Sequence, residues 1–454
     1  MGEKIKVVVI GGGSSYTLEI IKGLIEKNED INIGEVCLVD IKSGEMKQEI
    51  LASFGRKMIA NSKANFKITT SIDRRDALNC ADFVITQFRV GGIEERINDE
   101  KVSFINGVIG DEKLGAAALS LGLRTIPVFL DIISDVKEIC SDAFVINFTN
   151  PIGMIIDAVV NETGFKNIIG VSILASEMTR GIASILELDK SVINIGFAGV
   201  SNILYALSIN ANRECYNTRL LEKLDVTTSK LMPFSSDFAK GLDAIPCVNH
   251  RYYYKKEQFL ENGIEECHMG ITRGQIVKGI EEGILRYCEN EENIELPRGL
   301  NLRKGSLYKE ALMDVIDGII NDRKSIQVLN TMNNGVISDL YENDSVEVNC
   351  IVDSNGVRPL SVGRLPIGIK PLIIEIKSFE KLCIEAAIAG NYYKAYQALC
   401  INQLVSSDEK AKKILDEFLI NNKAYLPNFE KKIKDIERTK KRKICKRDCG
   451  SCRC

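Results

Sequence analysis

Three groups of residues in this 454-residue chain have the types and spacing to do chemistry. The first is Gly11-Gly12-Gly13-Ser14-Ser15-Tyr16, the opening of a GxGxxG pattern with Tyr16 at the third glycine position. Such a turn between a strand and a helix bares backbone N–H groups at the helix N-terminus, where they and the helix dipole hold a pyrophosphate that a Cβ would block. Asp40 ends the next strand 27 residues after Gly13. That is where a ribose-binding acid is expected, and because a carboxylate there repels a 2′-phosphate, NAD is favoured over NADP. The alternative is a turn that binds nothing, with Asp40 a solvated strand end. The second group is Cys445, Cys449, Cys452 and Cys454, four soft ligands within the last ten residues. They could wrap a zinc ion or an iron–sulfur cluster, recruit a partner on a basic tail, or form an oxidation-prone end. The third is small: His250 and His268 are the only histidines, which excludes a His-rich metal site. Cys267 and His268, expected in a loop, could supply ligands with Cys247, or be ordinary loop residues.

The elements that must position these groups follow from periodicity. Residues 4–10 form a β-branched run that ends in the glycines, and Glu19, Ile20, Leu24 and Ile25 then fall at helical spacing. Further strands are expected at 35–40, 83–87 and 144–147. Strands alternating with helices over about 170 residues predict an α/β fold with a doubly wound parallel sheet of Rossmann type. From about residue 193 longer helices are expected, at 271–289, 308–321, 370–391 and 407–422, with shorter strand-like segments between them. The predicted organisation is a nucleotide-binding domain over 1–192, a mixed α/β substrate domain over 193–429, and a basic, Cys-rich appendage over 430–454.

Composition limits the function classes. At 45% hydrophobic and 27% charged residues the chain is an ordinary globular one. Residues 430–454 carry eleven Lys/Arg against four Asp/Glu, so the net charge of −3 leaves the rest acidic and without a nucleic-acid footprint. No apolar run is expected to reach the ~18 residues of a membrane span. Ten of the 14 cysteines are scattered singly, as expected of reduced thiols in a cytoplasmic protein.

GGGSSYT at 11–17, LVDI at 38–41, DFVITQFRVGG at 82–92, LRTIPV at 123–128, INFTNPIGM at 146–154, TRGQIV at 272–277, NNG at 333–335 and the stretch 346–366 together resemble the NAD-dependent family 4 glycoside hydrolases, the 6-phospho-glucosidases and their relatives. The resemblance covers residues 4–429. It implies a lactate/malate dehydrogenase-like fold, a homodimer or tetramer, and an exception to the two-carboxylate scheme for glycosidases. The resemblance further implies that bound NAD takes a hydride from sugar C3, that a divalent metal, usually Mn²⁺, polarises the oxygen there, and that a Tyr removes the C2 proton. The aglycone is then eliminated, water adds, and the hydride returns.

Carried over position by position, the resemblance places Arg89, Asn150 and Arg273 on the phosphorylated sugar, an assignment that suits the planar guanidinium fork. Structural salt bridges and an Asx turn at Asn150 are the alternatives. Asp111 and Glu112 fall at a position that could meet a sugar hydroxyl or simply be solvated. The family's metal-binding Cys and His are replaced by Ser172 and Asn202, and the family's Tyr base by Asn249. Hydroxyl and amide groups are poor ligands for a transition metal, and an amide takes no proton. Tyr252 or His250 could substitute as base. Three readings follow: a 6-phospho-glucosidase, a metal-independent NAD-dependent redox or elimination enzyme, and a catalytically silent NAD-binding scaffold whose Cys-rich tail takes a partner or metal.

Overall fold

A computed structural model of the chain describes residues 4–224 and 233–448; the side chains of residues 442–448 lie outside it. The chain divides into two compact units, each assembled from three separate segments.

One unit, formed by residues 1–88, 130–251 and 276–377, carries the sheet. Its first half consists of β1 (Ile5–Ile10), β2 (Ile33–Val39), β3 (Lys67–Ser71), β4 (Phe83–Thr86), β5 (Phe144–Asn147) and β6 (Ile168–Gly170). They lie in the order β3-β2-β1-β4-β5-β6, all parallel. This is the dinucleotide-binding order, in which ligands bind at the carboxyl ends of the strands where the order reverses, between β1 and β4. Val7, Val8, Val9, Val84 and Ile85 are fully buried, because helices cover both faces of a parallel sheet and leave no polar side.

The sheet does not stop there. β11 (Ser325–Met332) pairs antiparallel with β6, followed by β12 (Ser345–Asp353), β7 (Ile193–Val200), β8 (Ile203–Ala211) and β10 (Ile245–Pro246). Two short strands, β9 (Glu214–Cys215) and β13 (Gly356–Pro359), pair with β8 and β12. The strands after residue 193 therefore extend the nucleotide-binding sheet.

The other unit, residues 89–129, 252–275 and 378–454, is helical among its described residues. Ser407 caps the helix Asp408–Asn421 by accepting from Lys410 N at 3.3 Å, and two acids occupy its first turn. Ala411, Ile414, Leu415, Phe418 and Leu419 form its buried stripe. The basic segment expected as an appendage instead continues as a helix, Glu430–Asp448, packed on Asp408–Asn421 with Ile433 and Ile436 buried. Two apolar residues one turn apart are enough to dock a helix most of whose other positions are charged. Cys267 and His268, expected in a loop, end the helix Lys256–Met269. One helix, Gly115–Ile139, is long and apolar enough to cross a membrane, and 78% of its apolar window is buried within the fold.

Candidate functional site

The glycine turn sits at the carboxyl end of β1 and leads into the helix Thr17–Glu26. Gly11 has φ +93°, and a Cβ there would lie 2.9 Å from the backbone of Gln87, so β1 and the end of β4 approach as closely as they do only because that side chain is missing. The expectation that the glycine N–H groups stay bare is corrected by their partners. Gly11 N and Gly12 N both donate to Val39 O at 2.9 Å, and Gly13 N donates to Asp40 Oδ2 at 2.7 Å. The glycines thus lock the turn onto the end of β2. Asp40 Oδ1 accepts from Ile41 N at 2.8 Å, which fixes the carboxylate while each oxygen keeps a lone pair for a ribose hydroxyl. Ser14 Oγ is a weak acceptor for Tyr16 N at 3.4 Å. Ser15 is buried, and its N–H meets no backbone carbonyl among the described residues.

Sequence reasoning missed the layer above this turn. Tyr16 stacks on Tyr308 at 4.4 Å with rings 4° from parallel, and Tyr308 stacks in turn on Phe148 at 3.9 Å. The Arg303 guanidinium lies 4.3 Å over the Tyr16 ring, and its Nη1 donates to Ser15 Oγ and to Glu281 Oε1.

At the carboxyl ends of β4 and β5 the Asn147 amide makes three hydrogen bonds. Its Oδ1 accepts from Thr86 Oγ1 and Thr149 N, both at 2.8 Å, and its Nδ2 donates to Thr149 O. Asn150 differs. Its Oδ1 is buried and receives no hydrogen bond among the described residues, so the Asx turn offered as its alternative does not form. A buried, unmet acceptor costs about 1–3 kcal/mol and calls for a donor from a ligand or water.

The three positions where replacements are expected, 172, 202 and 249, are all described. Ser172 Oγ accepts from Leu174 N at 3.1 Å, so the hydroxyl serves the start of the helix Leu174–Leu186. Asn202 turns the corner between β7 and β8 at φ +66°, and its backbone N donates to Glu347 Oε2 at 3.2 Å. Asn249 Nδ2 donates to Asn202 O at 2.8 Å, which brings two of these three residues together. Cys247 Sγ lies 3.3 Å from His250 Nδ1 beneath them. Burial pushes the thiol up to about 12 and pulls the imidazole down to about 3, so both are neutral at pH 7. That corrects His250 as a substitute base, because an imidazole with so low a pKa takes almost no proton at that pH. Among the described residues no group of three or more His, Cys, Asp or Glu side chains could hold a metal ion. Hydroxyl, amide and protonated thiol groups are weaker ligands for a divalent transition metal than carboxylate, imidazole or thiolate. Cys449, Cys452, Cys454 and the Cys445 side chain lie outside the described residues.

In the helical unit Arg89 Nη2 donates to Glu112 Oε2 at 2.6 Å, so the ion pair weighed as its alternative is present. Glu112 Oε1 accepts from Arg96 Nη1 at 2.9 Å, Arg96 Nε donates to Glu100 Oε1 at 2.8 Å, and Glu100 Oε2 accepts from Gly274 N at 2.8 Å. This chain of charges ends at the start of the helix Arg273–Glu289, where Arg273 itself is exposed. Asp111 Oδ1 accepts from Lys113 N. Tyr252 packs edge-on against Phe259 at 5.7 Å.

Burial raises the Glu112 pKa, but Arg89 and Arg96 outweigh it and hold the carboxyl at about 2, against an ordinary 4.5. A depressed acid contributes stability that is complete above its unfolded value and is lost as pH falls through the folded one. Glu112→Gln is therefore expected to destabilise the protein by about 3 kcal/mol at pH 7. The deficit should shrink as pH falls from 4.5 toward 2. Urea midpoints of both proteins at pH 7 and pH 3 measure this, and a deficit independent of pH would refute it.

Comparison with known proteins fits this architecture. The profile described as "Family 4 glycosyl hydrolase" matches residues 6–188, and that described as "Family 4 glycosyl hydrolase C-terminal domain" matches 204–405. A "Probable 6-phospho-beta-glucosidase" of Bacillus subtilis is 38% identical over 440 residues, covering 95% of this chain and 100% of that one. The 6-phospho-beta glucosidase of Thermotoga maritima, solved with NAD and glucose-6-phosphate and also with manganese, superposes with TM-score 0.84 at 29% identity, covering 93% of this chain and 99% of that chain. Malate dehydrogenase from Plasmodium falciparum, at TM-score 0.50 and 14% identity over 85% of this chain and 98% of its own, shares the Rossmann-type fold alone. With two consecutive domain profiles matched and a relative spanned end to end, the chain belongs to the family 4 glycosyl hydrolases.

Proposed function

We propose that this protein is a 6-phospho-glucosidase-type member of its family that holds NAD and a 6-phosphorylated glucoside, and in which the metal- and tyrosine-assisted route is lost. The observation that carries the cofactor half is the Asp40 carboxylate, pinned by Gly13 N and Ile41 N at the end of β2, where a ribose would bind. NAD bound there would supply a hydride acceptor. Asp40 would take the ribose hydroxyls, the turn at 11–15 the pyrophosphate, and Asn150 Oδ1 a sugar hydroxyl that satisfies its orphaned acceptor. Arg89 and Arg273 would take the phosphate. Residues 1–192 would hold the cofactor and lend Arg89 and Asn150 to the sugar, with 193–429 as the substrate domain.

The second half rests on donor chemistry. Ser172 Oγ accepts from Leu174 N, and Asn249 Nδ2 donates to Asn202 O, an arrangement of neutral groups that would be poor ligands for a transition metal and poor proton acceptors. This favours a metal-independent redox reaction or a silent binder over hydrolysis by the family route. By resemblance the chain would be a homodimer or tetramer, its scattered thiols suit the cytoplasm, and the spacing of the tail cysteines would suit a zinc ion, a cluster or a protein partner.

The test is a titration and an assay. Calorimetry should show binding of NAD and of glucose 6-phosphate, and p-nitrophenyl 6-phospho-β-glucoside with NAD and Mn²⁺ should turn over slowly or not at all. Robust turnover that a chelator abolishes would restore the hydrolytic reading, whereas no affinity for NAD would end the proposal.

A further inference from the structure

We infer that Arg303 is an anion-binding residue of the nucleotide site, taking a pyrophosphate oxygen of NAD beside the buried N–H of Ser15; the inference rests on the NAD reading above. The glycine N–H groups that would ordinarily face the phosphates are spent on Val39 O and Asp40, so the turn needs other donors. Ser15 N–H is one. Arg303 is held against the same residue through Ser15 Oγ, with Glu281 Oε1 on the same nitrogen at 2.5 Å. The flat face of Tyr16 lies beneath the guanidinium, 4.3 Å away, and Tyr16 Oη donates to Arg303 O at 2.9 Å.

The side chain is only 9% exposed, yet its Nε and Nη2 donate to nothing among the described residues. A buried guanidinium with free N–H groups at a helix N-terminus is a fork waiting for an anion. The Glu281 carboxylate offsets one charge, so the site is not strongly basic when empty and gains its second partner only with the ligand. Tyr308 and Phe148 continue the stack behind Tyr16 and keep the guanidinium from swinging away.

Calorimetric titration of the full-length protein with ADP, which carries the pyrophosphate, and with adenosine, which carries none, tests the assignment. Arg303→Met is expected to weaken ADP and NAD about 10- to 100-fold, the range for a charge-assisted hydrogen bond, and to leave adenosine unchanged. The remaining ADP affinity should also depend less on salt than in the parent protein. If the Met variant does not fold, Arg303→Lys keeps the charge, loses the fork, and should give a smaller loss confined to ADP. Equal weakening of ADP and adenosine would mean a structural role and overturn the inference, as would unchanged ADP affinity. A parent protein that binds neither NAD nor ADP would sink the NAD reading together with the inference, a result distinct from a binding parent with an unaffected variant.

Discussion

Arg124→Met is expected to destabilise the protein by about 3–5 kcal/mol, the usual cost of removing one partner from a buried ion pair. Arg124 is 1% exposed. Its Nη2 donates to Asp99 Oδ2 at 2.8 Å, its Nη1 to Ser120 Oγ at 2.8 Å and its Nε to Val90 O at 3.2 Å. Asp99 is itself buried, and its other oxygen accepts from Ser120 Oγ and Asn422 Nδ2. Without the guanidinium, Asp99 must stay charged and alone or take up a proton, and both cost free energy. Methionine fills the volume, so the loss reads the charge and not a cavity. Two measurements decide it: the urea midpoint of Arg124→Met, and that of Arg124→Met/Asp99→Leu, which removes both charges and should recover most of the loss. A single variant within about 1 kcal/mol of the parent would show that the pair contributes nothing.

How far the sequence reached depends on what each feature is made of. Four of the first six strands, β1, β2, β4 and β5, were legible because a parallel strand buried on both faces is a continuous β-branched run, and 144–147 coincides with β5; β3, half-exposed at the sheet edge, and the three-residue β6 were not. Asp40 and the glycines were legible because a strand, a tight turn and a helix N-terminus lie close together along the chain. The continuation of the sheet was not, because β12 pairs with β7 about 150 residues earlier and no local pattern carries that partner. Arg303 was invisible for the same reason: it meets Ser15 across 288 residues, and a lone Arg beside a Lys has no spacing signature. For Arg89 an ion pair could be weighed as the alternative but its partner could not be named, since Glu112 sits 23 residues away in a turn. Cys267 and His268 were misread because Lys256–Met269 carries charges around most of its surface and its apolar stripe is weak.

The largest gain is expected from reversing the three replacements together. The triple variant Ser172→Cys, Asn202→His, Asn249→Tyr should turn over p-nitrophenyl 6-phospho-β-glucoside with NAD and Mn²⁺ about 10⁴-fold or more faster than the parent. Polarisation by a metal is typically worth several kcal/mol, and a positioned base a further ~10²–10⁴-fold in rate. The backbone is already arranged for the exchange. Asn202 sits at a β-corner with φ +66° that His tolerates better than most residues, and Asn249 meets its carbonyl at 2.8 Å, so a side chain at 249 starts beside the one at 202. Ser172 loses only a helix-start hydrogen bond, a cost of about 1 kcal/mol. The three changes act on one reaction and are not independent, so single variants should show almost no gain while the triple shows nearly all of it. Paramagnetic resonance of free Mn²⁺ reads the metal half separately: the Ser172→Cys/Asn202→His pair should deplete the signal in the presence of NAD and glucose 6-phosphate, and the parent should not. A parent that depletes Mn²⁺ as well as the variant, or hydrolyses the glucoside as fast, would show that the replaced positions were never what limits this chain.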